Sequence, residues 1–229
     1  MSWTITPQTK VPVDPQYGSV SLLLHGNGTN GSTTITDSSP SPKTVTAVGN
    51  AQISTAQSKF GGASIAFDGS GDRLSIQSSN DYAFETGDFT VEYWAYYLNA
   101  NAGTIWDGRA GTTSANALSD YLLNGRLIVY LVTGNTNLVT TAVGSITTGS
   151  WIHVAITRAS SSLRVFLNGV QSGSTASDST NITSTSLTIG GGTNSSTAFN
   201  GYIDDLRITK GVARYTSNFT PPAAPFPDI

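Results

Sequence analysis

The chain reads as an all-β sandwich of two antiparallel sheets, on three observations. Strand alternation and turn signals recur about every 8–12 residues. Two Asn-Gly pairs each separate a pair of apolar runs, and the run from Phe89 to Tyr97 carries aromatic residues on both of its alternating faces. Helical periodicity is scarce. At 229 residues the chain fits one domain, since sandwiches and barrels reach ~200–250 residues as a single unit.

The elements follow in order. Pro7, Pro12 and Pro15 fall within the first eighteen residues. Each removes a donor and biases its predecessor away from helix, so residues 1–18 are expected as an extended arm, with the sandwich over 19–229. Ser19 to Leu24 reads as a strand and Asn27 to Thr36 as a loop of Ser, Thr, Gly and Asn. In the next long strand Phe89, Val91, Tyr93, Ala95 and Tyr97 face one way, and Thr90, Glu92, Trp94 and Tyr96 the other. Aromatics on both faces predict a central strand covered on both sides. Asn124-Gly125 and Asn168-Gly169 each supply the two positive φ angles of a type I′ hairpin turn. Trp151 to Arg158 is strand-like, Ser172 to Ser186 reads as loop, and Gly190-Gly191-Gly192 marks a turn after Leu187-Thr188-Ile189. The Pro-rich end carries Phe219 and Phe226, which are expected to pack along the domain rather than stand in water.

Five segments, in order, resemble the laminin-G-like jelly rolls of the concanavalin-A-like lectin/glucanase superfamily. They run from Ser21 to Gly28 (SLLLHGNG), Phe60 to Gly69 (FGGASIAFDG), Gly87 to Trp94 (GDFTVEYW), Trp151 to Arg158 (WIHVAITR) and Gly201 to Ile208 (GYIDDLRI). The closing run GVARYTSNFTPP, residues 211–222, resembles the ends of such domains in bacteriophage tail and other virion proteins. The resemblance implies two curved antiparallel sheets packed face to face, each of about six or seven strands. It also implies a virion origin.

Composition excludes several functions. The formal net charge is −3, and the eleven basic residues are spread singly. They form no stripe for a row of phosphates or for an anionic bilayer, so neither nucleic acid nor a membrane surface is an expected partner. The absence of cysteine removes disulfides, thiolate metal sites and thiol nucleophiles. No run of about 18 apolar residues occurs, so no membrane insertion is expected. The first eighteen residues lack the pattern of a signal peptide, so a protein acting outside a cell is expected to leave by another route, such as release within a virion.

Catalysis has little support. A retaining glycosidase needs two carboxylates about 5–5.5 Å apart, and the chain has only Glu85 and Glu92 as glutamates. Asp204 and Asp205 are adjacent on a strand and point to opposite faces. No Gly-x-Ser-x-Gly elbow is present, and His153 reads as a core or hydrogen-bonded histidine.

Two candidate sites remain. Alternation groups Asp204 with Tyr202, Leu206 and Ile208, which predicts a buried carboxylate in need of a partner. The resemblance implies a structural Ca²⁺ held by Asp204, backbone oxygens of Gly26 and Asn27, and the side chain of Asp37; the alternative is hydrogen bonding to loop amides. For a ligand, the loop Trp106-Asp107-Gly108-Arg109, with Tyr97 nearby in sequence, offers aromatic faces and polar groups suited to sugar. Trp106 equally reads as a plug for the end of the core, like Trp94 and Trp151. The expected function is a non-catalytic phage virion structural or adhesion protein: a tail-fibre, capsid-surface or decoration component contacting host glycans. The alternative is a carbohydrate-binding module of a secreted bacterial protein. Expected partners are other virion proteins through the N-terminal arm, host surface glycans and further copies of the chain. The expected location is the virion or, on the alternative, the extracellular space.

Overall fold

The computed structural model describes residues 13–111, 116–192 and 198–229. Among these, short 3-10 turns at Tyr17–Ser19 and Asn80–Tyr82 are the helical elements, and everything else regular is strand. The first strands are β1 (Val20–Leu24), β2 (Val45–Val48), β3 (Gln52–Ser54), β4 (Ser64–Asp68), β5 (Arg73–Ile76) and β6 (Phe89–Tyr97). Then come β7 (Ala102–Gly103), β8 (Trp106–Asp107), β9 (Leu118–Leu123), β10 (Arg126–Leu131) and β11 (Thr136–Thr140). The last are β12 (Trp151–Ala159), β13 (Ser162–Leu167), β14 (Val170–Gln171), β15 (Ala176–Ser177), β16 (Leu187–Ile189) and β17 (Asn200–Lys210). No helix among the described residues is long and apolar enough to cross a membrane.

The strands form two antiparallel sheets, the jelly-roll sandwich that the sequence predicts. The first runs β14-β13-β12-β6-β17-β4-β3, with β1 added to β17 and β15 to β13; the second runs β11-β10-β9-β8-β16-β5-β2, with β7 added to β9. Phe89, Val91, Tyr93, Ala95 and Tyr97 of β6 enter the core between the sheets, as expected. Both hairpins form, with φ of 52° and 72° at Asn124-Gly125 and 48° and 79° at Asn168-Gly169. The turn after β16 is also present: Gly190 has φ of 78°, and a Cβ there would meet the Phe67 ring at 2.0 Å. Gly190→Ala should therefore cost about 2–5 kcal/mol, combining left-handed strain with overpacking. A thermal melt within 2 °C or so of the parent would refute this account of the position.

The Thr90 and Glu92 part of the second face of β6 is covered by the C-terminal tail, which the start of the chain joins through Asp14. Phe226 is buried and its ring lies 3.8 Å from the Arg207 guanidinium; Tyr215 and Phe219 stack at 3.6 Å, with Phe219 edge-on to His153 and Phe166. The tail thus packs on the domain, as its two phenylalanines suggest. Residues 1–12 of the expected arm lie outside the described residues. Residues 13–18 rest on the sandwich: Asp14 is buried and accepts from Arg207 and Arg214, its amide donates to the Ile229 carbonyl, and the Tyr17 hydroxyl donates to Ser38.

A bulge in β17 corrects the expected faces of its aspartates. The register shifts between Asp204 and Arg207, and Asp205 has φ of 49°. Ile203, Leu206 and Ile208 all enter the core, which strict alternation forbids for residues three apart. Asp204 therefore shares the outer face with Tyr202, not the core face with Leu206. It is nevertheless fully buried, because the loop at Lys59 and Phe60 folds over it.

Candidate functional site

The second sheet carries a groove of about 330 Å³ on its outer face, lined chiefly by Thr104, Arg109, Ser119, Tyr121, Tyr130 and Asn135. The hairpin at Asn124-Gly125 builds its wall. Counting outward from the turn, Tyr121 opposes Ile128 and Tyr130 opposes Ser119, so both tyrosines stand on the outer face while Leu122, Leu127 and Val129 fill the core. The two rings meet edge to face at 6.0 Å. Their hydroxyls donate to the side-chain oxygens of Asn137 and Asn135 respectively, which fixes the ring orientations.

Arg109 is held as firmly. Its Nε donates to both oxygens of Asp107 at 2.7 and 2.9 Å, and one terminal nitrogen donates to Oδ2 at 2.6 Å. Asp107 is fully buried beneath it, whereas the Arg109 side chain keeps 18% of its surface. A fork pinned at one side leaves its remaining N–H groups pointing at the groove. Rigid aromatic walls with a few oriented donors and acceptors suit a ligand that is apolar on its faces and hydroxylated at its rim.

Of the expected ligand residues, Arg109 lines this groove and Asp107 anchors it. Trp106 and Tyr97 do not reach it. Trp106 is buried in the core, and Tyr97 is fully buried with its ring edge-on to Phe199 at 5.5 Å. Both odd-numbered tyrosine and even-numbered tryptophan sit on the inward registers of their strands. Trp106 is the core plug of the alternative expectation. Trp94 and Trp151, expected to plug the core too, lie on the outer face of the first sheet. Sequence reasoning missed Tyr121, Tyr130 and Asn135, although the register of the Asn124-Gly125 hairpin already places both tyrosines on one face.

Beneath the groove, Asp120 is fully buried between the sheets, accepting from Ile105 and Trp106 amides and from the Tyr93 hydroxyl. Burial pushes its carboxyl up to about 7 despite those three donors.

The expected calcium ligands do not come together as a set. Asp37 spends both oxygens at the edge of β1, accepting from the amides of Leu23, Ser39 and Lys43 and from the Ser39 hydroxyl. Asp204 Oδ2 accepts from the amides of Lys59 and Phe60, as in the alternative expectation, and its Oδ1 is buried without a partner. Gly26 lies against Ser64, and the Asn27 side chain against Gly61. Of the two carboxylates, only Asp204 has an oxygen to offer, and Ca²⁺ takes six to eight oxygen ligands. No group of three or more His, Asp or Glu that could hold a metal occurs among the described residues. Burial pushes the Asp204 carboxyl up to about 7.

A family model described as the concanavalin A-like lectin/glucanases superfamily matches residues 68–214. No curated protein matches the sequence. Among solved structures, the binding domain of botulinum neurotoxin serotype D is similar at 16% identity and a TM-score of 0.64, over 87% of this chain and 50% of that one. The binding domain of botulinum neurotoxin DC in complex with SialylT is similar at 17% identity and 0.59, over 86% and 49%. Domain 4 of AbnA, a GH43 extracellular arabinanase from Geobacillus stearothermophilus, in complex with arabinotriose, is similar at 18% and 0.54, over 85% and 94%. The chain spans about half the length of the neurotoxin domains and nearly all of the arabinanase domain. At these identities the likeness is one of fold.

Proposed function

Because the chain belongs to the concanavalin A-like lectin/glucanases superfamily, we propose that it is a non-catalytic module that binds carbohydrate in the groove of Arg109, Tyr121 and Tyr130. The observation that carries this is the pinning of Arg109 by buried Asp107 beside two tyrosines whose hydroxyls are also tied down. Such pre-organisation reduces the ordering cost of binding. Of the structural neighbours named above, one was solved in complex with arabinotriose and one in complex with SialylT, which supports the same class of ligand.

The assignment as non-catalytic rests on the placement of the acids. No carboxylate lines the groove among the described residues, and Asp107 is neutralised by Arg109. Glu92 is sealed under the tail, where Arg207, Tyr215 and His153 surround it.

A glycan array followed by titration calorimetry tests the groove. Tyr121→Ala combined with Tyr130→Ala should weaken binding roughly tenfold or more, and Arg109→Lys should not substitute, since a point charge cannot keep the bidentate geometry. Unchanged affinity in the double variant would rule the groove out.

The setting we favour is a phage virion adhesion component contacting host glycans, which the resemblance of residues 211–222 to virion proteins supports. The other setting is a secreted bacterial binding module. A discrete oligomer in light scattering, assembled through residues 1–18, favours the virion; a glycan-binding monomer favours the secreted module.

A further inference from the structure

The outer face of the first sheet holds a second surface, on the opposite side of the sandwich from the groove above. Strand register lines up Trp151 with Tyr96, Tyr96 with Tyr202, Tyr202 with Ala66 and Ala66 with Gln52. These residues form one straight row across β12, β6, β17, β4 and β3, with four intervals of about 4.8 Å between strands. The three aromatic rings are half-buried and meet edge to face, at 5.7 Å between Trp151 and Tyr96 and 6.0 Å between Tyr96 and Tyr202. At small Ala66 the row opens into a groove of about 630 Å³, with Asn50, Gln52, Asp68, Leu98, Asn200 and Tyr202 in its lining.

The neighbouring row shows what an occupied part of this face looks like. His153, Trp94 and Asp204 stand in register two residues further along the same strands. Phe219 and Tyr215 cover His153, and Lys59 lies 3.8 Å over the Trp94 ring. Among the described residues, the tail and the 59–60 loop thus roof one half of the face and not the half-buried Trp151–Tyr96–Tyr202 row. Leu98, at its margin, is 53% exposed.

We propose that this row and groove bind an extended, uncharged polysaccharide. It builds on the carbohydrate reading of the chain but uses separate residues. Aligned rings offer faces to successive sugars, and the amides of Gln52, Asn50 and Asn200 both donate and accept, matching hydroxyls. The only formal charge in the groove lining is the carboxylate of Asp68, and no Lys or Arg is present there. Acidic glycans and nucleic acids are therefore repelled rather than attracted. A peptide adding as a strand would need an open sheet edge, whereas the edge strand at this end of the row, β3, already exchanges backbone hydrogen bonds through Ile53 with Gly31 and Ser32.

Affinity electrophoresis of the full chain through gels containing neutral arabinan, galactomannan, xyloglucan or mixed-linkage glucan tests the proposal. At least one polymer should retard the protein. Trp151→Ala with Tyr202→Ala should weaken that retardation roughly tenfold or more, while Tyr121→Ala with Tyr130→Ala leaves it in place. Gln52→Ala, an exposed position, should weaken it without altering the melt, and carries the test if the aromatic variant does not fold. No retardation by any neutral polymer, or retardation undiminished in Gln52→Ala and the aromatic variant, would overturn the second surface. Loss of all binding in the Tyr121/Tyr130 variant alone would return glycan binding to the first groove only.

Discussion

Glu92→Ala should lower stability by about 3–5 kcal/mol, the cost of breaking a buried ion pair from one side. For a domain of this size that is a fall of roughly 6–20 °C in melting temperature. Glu92 is fully buried, and Oε1 accepts two bonds from Arg207 at 2.8 and 3.0 Å, while Oε2 accepts from the Tyr215 hydroxyl and lies 3.5 Å from His153 Nε2. Arg207 in turn reaches Asp14, which also takes both ends of the Arg214 fork. One carboxylate thus ties β6 to β17, to the tail and to the start of the chain. Removing it should loosen residues 211–229 as well, so limited proteolysis should cut the tail before the sandwich melts.

The same group sets an acid limit. Burial alone would raise the Glu92 carboxyl, but Arg207 and His153 outweigh it and hold it at about 2, below its ordinary 4.5. A depressed carboxylate contributes fully above its unfolded value and loses that contribution as pH falls through its folded one. The contribution should therefore be complete above about pH 4.5 and decline towards pH 2, and Glu92→Ala should flatten that part of the stability profile. A variant that melts with the parent at pH 7 would show the network to be energetically idle.

Arg158→Ala should cost a comparable ~3–5 kcal/mol. Arg158 is a large, fully buried side chain that serves as a polar post at the far end of the sandwich. It donates to the carbonyls of Glu85, Gly87 and Thr180 and to Asp178 Oδ2, and its guanidinium lies 5.1 Å from the Phe89 ring. Truncation takes the donors away from three carbonyls and a buried carboxylate at once. Replacing both charges, Arg158→Leu with Asp178→Leu, should recover part of the loss, because a balanced removal does not leave a lone buried ion. If the double variant were no better than Arg158→Ala, the carbonyl bonds rather than the ion pair would account for the post.

How much of this was legible beforehand follows from the range of each interaction. The faces of β6, the two Asn-Gly hairpins and the turn at Gly190 are local matters of side-chain period and backbone φ, so the order of residues determined them. Burial of Phe226 followed from its apolarity. The pairing of Arg109 with Asp107 is likewise local, since a two-residue offset allows the fork to close back on the carboxylate.

Only the folded chain decided the rest. A single bulge at Asp204 and Asp205 turned Ile203 inward and Asp204 outward, and no alternation count contains an extra residue that a partner strand imposes. Trp106 and Tyr97 went to the core, and Trp151 to the open face, because the strand partners set which side of each sheet is inside. The tail's choice of one half of the first sheet, roofing one row of side chains and, among the described residues, not its aromatic neighbour, joins residues more than a hundred positions apart. Local chemistry writes strands and turns; which face of each strand meets water is settled by what packs against it.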